Sequence, residues 1–440
     1  MPISSFYGLQ TSLRGLLAQQ RSIDITGHNI ANASTRGYSR QEATLTASDA
    51  LFIPAGAVQN GAGAHLGSGV DVQSYRRVRD TFLDLQFRTQ STALGGNAAR
   101  SEALDRAELA LAEPSDDGLA AQLAQFWNAW SNLANTPEAN QPAARQALLS
   151  QARALGDAFG AIDAQFQTVG TQAQEEYDAT IGGELKSIAA EIADLNLSIK
   201  KFVTAGDSPN DLLDRRDALL DRLSELGQVS VSNGAEAGSI IVKFGAGGEP
   251  LVNDAGVNPA WTASFTDGNG RLGGLLKIAT ETIPSYRASL SGVAEQLAGA
   301  VNAIHPGFFG FTAGTATGAM KLEPLLAAGD IRAASGTSPG ANDIAQAVAA
   351  LRGGAADSGY EAFVARLGTE TREVKRQVSN GEVLTRSVDD RRQSVSGVAM
   401  DEEMSNLVRF QRAYQASARA MSTMDEMLDV LINRTGRVGI

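Results

Sequence analysis

Three stretches of this chain carry residue types that catalysis or cofactor binding would use. "GTSPG" (Gly336–Gly340) matches the G-x-S-x-G pattern of a nucleophile elbow, in which a serine sits on a sharp strand-to-helix turn. The elbow needs an apolar strand before it, and "DIRAAS" is a poor one. It also uses the backbone N–H after the serine as an oxyanion donor, and Pro339 has none. "GNGRLG" sets glycines at 268, 270 and 273, the spacing of a dinucleotide-binding turn. Such a turn belongs in a βαβ unit, whereas this one follows the last of several short strands, and Pro284 is expected to cut off the next helix. The clusters "DRRD" (Asp214–Asp217) and "DDRR" (Asp389–Arg392) alternate in sign on helices and read as solvated faces or interchain salt bridges. Neither a nucleophile–base set nor a cofactor cradle comes together, so no enzyme and no cofactor is expected.

Composition narrows the classes further. The chain has 440 residues and no cysteine, which excludes disulfides, thiolate metal sites and cysteine nucleophiles. Three scattered histidines (His28, His65, His305) make a histidine-rich metal site improbable. With 37 basic against 49 acidic residues the net charge is −12, the wrong sign for a protein that neutralises phosphates, so no nucleic acid is expected as partner. No run of about 18 apolar residues is present, so no membrane span is expected. The start, "MPISSFYGLQ", lacks the basic end and apolar core of a secretory signal.

Those excluded chemistries leave the elements themselves. Near the N-terminus, Leu9, Leu16, Ile23 and Ile30 fall a heptad apart, with Phe6, Leu13, Gln20 and Gly27 between them. At the other end Met400, Leu407, Tyr414, Met421 and Leu428 repeat the interval, with Met404, Phe410 and Met424 alongside. A single narrow seam cannot bury itself, so each end is expected to pack against the other in a coiled coil. Amphipathic helix is expected around Leu119–Leu133, then in a long stretch from Pro142 to Phe202 with a stutter near Gly170, and again at Leu213–Leu223. Short β-rich runs ("VSVS", "SIIVKF", "WTASF") follow, then helix at Tyr286–Ile304, loop to about Asp343, and helix to the end. The expected fold is mainly α: a long coiled-coil helical body made by two halves folding back on each other, with one small inserted β domain. Its divisions are a terminal assembly domain (1–60 and 395–440), a helical body (61–228 and 284–394) and the β domain (229–283).

The segment "GHNIANASTRGYSRQ" resembles the N-terminal signature of bacterial flagellar rod, hook and hook-associated proteins, whose core reads N-I-A-N-x-x-T-x-G-Y. Here those residues are Asn29, Ile30, Ala31, Asn32, Thr35, Gly37 and Tyr38. The continuation "YSRQ" points to the hook-associated members. "GVDVQSYRRVRDTFLDLQFR", "LLDRRDALLDRLSELGQVSVS" and "NLVRFQRAYQASARAMSTMDEMLDVLINRTG" are similar to the same proteins. Arg36 stands where the family usually has proline, and the middle is too short for the extra outer domain of larger relatives. Within the segment, Asn, Ser and Thr side chains are expected to end the helix, Gly37 to supply a turn, and His28 to make a polar contact at a subunit junction.

The resemblance implies a structural adaptor that polymerises at the hook–filament junction. Its implied partners are further copies of itself, the hook protein, the third hook-associated protein and a cytoplasmic export chaperone. It implies export by the flagellar type III apparatus and a final place outside the cell. The seam residues (Leu9, Leu13, Leu16, Ile23, Ile30, Met400, Met404, Leu407, Phe410, Tyr414, Met421, Leu428) would drive assembly. Met404, Leu407, Met421, Met424 and Leu428, part of a methionine-rich and therefore adaptable face, would bind the chaperone beforehand. The rival member readings are the third hook-associated protein and the hook protein, both disfavoured by "YSRQ" and the long helical body. Binding to a membrane surface is disfavoured because the terminal helices lack a basic polar face.

Overall fold

The computed structural model describes residues 6–53, 64–113, 115–116, 118–138, 141–265, 269–336, 338 and 340–434. Helix α1 (Tyr7–Ala31) comes first. The chain then runs out and back as a β arm: β1 (Gln41–Ala47) and β2 (Leu51–Ile53) outward, β3 (Ala64–Leu66) and β4 (Val70–Arg77) on the return. β1 pairs antiparallel with β4, and β2 with β3. Asp80 caps α2 (Thr81–Leu111) by accepting the Phe82 N–H at 2.8 Å, satisfying a donor that a helix start leaves free.

The body follows as α3 (Leu119–Asn135), α4 (Gln141–Thr180), α5 (Lys186–Thr204) and α6 (Asn210–Leu226). Leu119, Leu123, Phe126, Trp127, Trp130 and Leu133 share one face of α3 and are all buried, as their spacing requires. They share one core with Phe159 and Phe166 of α4, and Trp127 donates its indole N–H to the Asp357 carboxylate at 3.0 Å. α4 runs unbroken through Gly170, where a stutter was expected; the irregularity is a π turn farther on, at Ile181–Leu185, which joins α4 to α5 in one continuous helix. Four antiparallel strands follow in the order β5 (Val229–Asn233), β6 (Ile240–Phe244), β7 (Val252–Asn253), β8 (Gly256–Val257). Val242, Phe244 and Val252 of this sheet share a second core with Ile192 of α5 and Leu220 and Leu223 of α6.

Helix resumes at α7 (Gly270–Lys277) and runs through a π turn, Ile278–Thr282, into α8 (Ile283–Ile304). The expected boundary at 283 therefore falls inside a helix. Pro284 does not cut the helix; it occupies its first turn beyond the π segment, where the wide turn absorbs the hydrogen bond that proline cannot make. Gly268 lies outside the described residues, while Gly270 and Gly273 are buried at the start of α7, so the expected phosphate-type turn is helix packing. A Cβ on Gly274 would overlap the Gly96 carbonyl of α2, which shows how closely these helices approach.

The stretch expected to be loop after "HPGFFG" holds the hairpin of β9 (Phe309–Thr312) and β10 (Lys321–Pro324). Phe308, Phe309, Met320, Leu322 and Ile331 are buried there. Asp163 anchors it, taking two bonds from Arg287 at 2.7 and 2.9 Å and one from the Met320 N–H at 2.7 Å. Of the candidate elbow "GTSPG", Thr337 and Pro339 lie outside the described residues, and Ser338 is exposed. Helices α9 (Asp343–Ala349), α10 (Ala355–Ser396) and α11 (Met400–Asp429) complete the chain. The fold is mainly α, with β arms in addition to the small sheet.

Candidate functional site

The terminal helices pair antiparallel in a heptad register. Gly8 faces Met424, Gly15 faces Ser417, and Asn29 bonds Glu403, steps of one and then two heptads along both helices. A Cβ on Gly8 would sit 3.0 Å from Met424, and one on Gly15 would sit 3.3 Å from Ser417. Closest approach needs small residues, and the buried positions of α1 are Ala18, Ser22, Thr26 and Asn29. The Ser22 and Thr26 hydroxyls donate to the carbonyls four residues back, at 3.0 and 2.9 Å, which satisfies them locally.

The apolar line read from the sequence is one residue away from this contact, about 100° round the helix. Leu9, Leu16, Ile23 and Ile30 are half-buried, and Leu13 is exposed. On α11 the line Leu407, Tyr414 and Met421 is half-buried, as are Phe410 and Met424, while Leu428 is buried. Met400 and Met404 are exposed.

The loop after α1 ties the pair to the body. Asn29 is 1% exposed and uses its whole hydrogen-bonding capacity. Its amide donates to the Gln41 carbonyl at 3.0 Å and to Glu403 at 3.1 Å; its oxygen accepts the Gln41 N–H at 3.0 Å and the Tyr38 hydroxyl at 2.8 Å. Asn32 caps the helix by donating to the His28 carbonyl at 3.0 Å and accepts the Thr35 hydroxyl at 3.3 Å. Gly37 has φ +84°, a conformation that side chains resist. Ile30 is half-buried and Ala31 exposed, and both lie in the last turn of α1. His28 approaches Asp211 at 3.5 Å and sets its ring edge-on to Tyr38, contacts made inside one chain.

Each residue of "YSRQ" reaches a different group. Tyr38 takes Asn29; Ser39 donates its N–H and hydroxyl to Asp214 at 2.9 and 2.7 Å. Arg40 pairs with Glu403 at 3.0 Å and Glu402 at 3.1 Å, and Gln41 donates to Asp211 at 3.0 Å and accepts from Asn210 at 3.1 Å. The motif thereby joins α1, α6 and α11. Burial pushes the Tyr38 phenol well above its ordinary value, and the carboxylates of Asp211, Asp214 and Glu403 add to the shift.

Beneath the clasp lies a largely buried ion network, which corrects the reading of the charged clusters as solvated faces for Asp214, Asp217 and Arg392, while Arg215, Asp390 and Arg391 stay exposed. Arg77 bridges Asp214 and Asp217 at 2.8 and 2.7 Å, and Arg79 bridges Asp84 and Asp217 at 2.7 and 3.0 Å. Arg88 reaches Asp221 at 2.8 Å, and Arg392 reaches Asp221 at 2.5 Å and Asp389 at 2.9 Å. Burial alone would raise the Asp217 carboxyl, but the guanidiniums of Arg79, Arg77 and Arg88 hold it below its ordinary value. Arg216 points the other way, donating to Asn196 and the Gly238 carbonyl at 3.0 and 2.7 Å; burial pushes it down to about 10, against the pull of Asp217. Asp214, Asp217 and Asp221 stand three and four residues apart on α6, a one-sided acidic stripe that was the available sequence signal. Among the described residues no group of acidic or histidine side chains could hold a metal ion, and no helix is long and apolar enough to cross a membrane.

A cleft of about 800 Å³ opens between the loop Ala33–Arg40, α6 and the α10–α11 junction, lined by both charges and apolar groups such as Phe87 and Val398. Nothing in it resembles a catalytic set: Arg79, Asp221, Asp389 and Arg392 are paired members of the network, and Arg222 pairs with Glu184 and Glu225.

The comparisons with known proteins fall on these same parts. The helical domain of flagellar hook-associated protein FlgK matches residues 104–319. The flagellar basal body rod protein model matches residues 9–38, the clasp segment included, and the C-terminal model of the FlgEFG rod proteins matches 391–434. The paired termini thus match the models of flagellar rod proteins, and the helical body matches that of a hook-associated protein. It is similar to flagellar hook-associated protein 1 of Bacillus subtilis, with 29% identity over 98% of this chain and 99% of the relative. The protein of the same name from Escherichia coli is 25% identical over 97% and 99%. These alignments run to 507 and 556 positions against 440 residues here, so both relatives carry insertions that this chain lacks. The hook junction protein FlgK of Burkholderia pseudomallei matches at 23% identity and a TM-score of 0.43, covering 53% of this chain and 46% of that one. The chain is a structural protein of the bacterial flagellum.

Proposed function

We propose that this chain is the adaptor of the hook–filament junction and performs no catalysis. Its similarity to two hook-associated 1 proteins over nearly the whole of all three chains carries the reading. The terminal residues 1–60 and 395–440 act as the assembly domain, the α-helical body sets the wall, and the small sheet faces outward. Copies polymerise, seat on the hook protein and receive the third hook-associated protein. Before that the chain is held in the cytoplasm by an export chaperone and leaves through the flagellar type III apparatus. Met404 is exposed, whereas Leu407, Met421, Met424 and Leu428 are wholly or partly covered in the helix pair. The chaperone therefore takes α11 before α1 docks on it, and hands over an unpaired helix.

Deletion of the gene tests this. Cells should retain hooks, lose filaments and release filament subunits into the medium, and antibody should label the distal end of purified hooks from wild-type cells. Filaments of normal length in the deletion strain, or label confined to the rod, would refute it.

A further inference from the structure

The terminal hairpin leaves two apolar ridges uncovered. On α1, Leu9, Leu13 and Leu17 follow at four-residue steps; Leu9 is half-buried, Leu13 is 39% exposed and Leu17 49%. On α11, Met400, Met404 and Val408 repeat the spacing and are 46%, 49% and 43% exposed. Each ridge is about 12 Å long. They cannot meet within one chain. Asn29 bonds Glu403, beside Met404, and Leu13 precedes Asn29 by sixteen residues, about 24 Å of helix.

The charges beside the ridges are opposite in sign. From Tyr7 to Ile23, α1 carries Arg14, which pairs with Asp71, and Arg21, and its first acidic residue is Asp24. Arg21 is exposed and makes no hydrogen bond or ion pair among the described residues. Around Met400 and Met404, α11 carries the exposed Asp401 and Glu402 and the buried Glu403, the two glutamates already held by Arg40, and no basic residue before Arg409. Pairing α11 with α11 would bring these acidic turns together, which like charges oppose. An antiparallel pairing of α1 with α11, Leu13 against Met404, sets Arg21 at the start of α11 toward Asp401.

We propose that the Leu9–Leu13–Leu17 ridge of one copy packs on the Met400–Met404–Val408 ridge of the next. The inference rests on the assembly role proposed above and specifies its contact. Because the two surfaces differ, the contact is head-to-tail and repeats from copy to copy instead of closing a two-fold dimer.

The absence of cysteine from the chain makes the test clean, since every thiol present is one introduced. A disulfide needs Cα atoms about 4.4–6.8 Å apart, so cysteines at 13 and 404 can bond only between copies. Hooks are purified from cells carrying Leu13→Cys with Met404→Cys in one chain, either change alone, or the two singly changed chains together, and then oxidised. The double variant should give a ladder of dimers, trimers and larger species, the mixture dimers alone, and each single variant only monomer. Arg21→Cys with Asp401→Cys, bridged by a short bis-maleimide, repeats the test at polar positions where packing is not disturbed. Dimers from either single variant would overturn the head-to-tail pairing. So would double variants that are present in hooks by immunoblot yet stay monomeric. Absence of the wild-type protein from purified hooks would overturn the assembly role itself, and this pairing with it.

Discussion

Replacing Asn29 by alanine removes the centre of the clasp while leaving both packed cores untouched. Four hydrogen bonds go at once. Glu403 keeps Arg40 at 3.0 Å, and the Tyr38 hydroxyl is only part-buried, so water can replace its partner. The Gln41 N–H and carbonyl, in a residue 9% exposed, are left without their Asn29 partner. At about 1–3 kcal/mol for each orphaned buried group, the cost is about 2–6 kcal/mol. It falls on the docking of α1 and α11, because neither helix contributes to the core around Phe126 and Phe166, while Asn29 of α1 bonds both this loop and Glu403 of α11. Hydrogen exchange read by mass spectrometry should show protection in residues 7–31 and 400–429 falling by about 30-fold or more, while peptides from α3 and α4 change little. The main melting transition should hold within a degree or two. A fall in core melting as large as the loss at the termini, or unchanged terminal protection, would refute the assignment of Asn29 to docking.

Asp217→Asn leaves Arg77, Arg79 and Arg88 short of a carboxylate and should cost about 3–5 kcal/mol at neutral pH, read from urea midpoints. Since the folded Asp217 carboxyl is held below its ordinary value, its contribution is present above about pH 4 and is lost as pH falls through the depressed value. The gap between wild type and variant should therefore narrow below about pH 4, and a constant gap would contradict the network. Gly156→Ala drives a methyl into the Leu322 carbonyl and should destabilise the body by about 1–3 kcal/mol or more in thermal melting. Gly182→Ala meets nothing within 4 Å and should be neutral or stabilising by up to about 1 kcal/mol. Leu407→Asp charges a half-buried position of α11; hook capping should fail in motility and secretion assays while the body melts as wild type.

The periodicity of the long helices was legible because burial in them is one-sided: the six apolar positions of α3 announced its core face, whereas the stutter expected near Gly170 was misplaced, the wide turn coming at Ile181–Leu185. The clasp residues of "NIAN" and "YSRQ" were visible as a family signature, but their partners were not. Asp214 and Glu403 lie far from Asn29 and Ser39 in sequence, and a polar bond across 175 or 374 residues leaves no local pattern. The charged runs misled for a related reason. Alternating sign on a helix describes an exposed face equally well, and the arginines at the end of β4 and before α2 are what cover Asp214 and Asp217. The helix pair at the termini misled most subtly, because heptad spacing marks the apolar residues, whereas closest approach selects the small ones, Gly8, Gly15 and Ala18.

Heptad repetition has a weakness as a ruler. Every seventh residue offers nearly the same surface, so two such helices can slide by one repeat with little change in packing. A slip of seven residues would shift one helix tip past the other by about 10.5 Å. The Asn29–Glu403 bond makes the repeats unequal: only one alignment gives this buried amide and this buried carboxylate each other, and any other strands both away from water. The pair therefore behaves as a keyed joint of fixed length. Every copy that closes its key presents its two ends at the same offset, and a lattice built from such copies needs no separate gauge to keep its steps uniform.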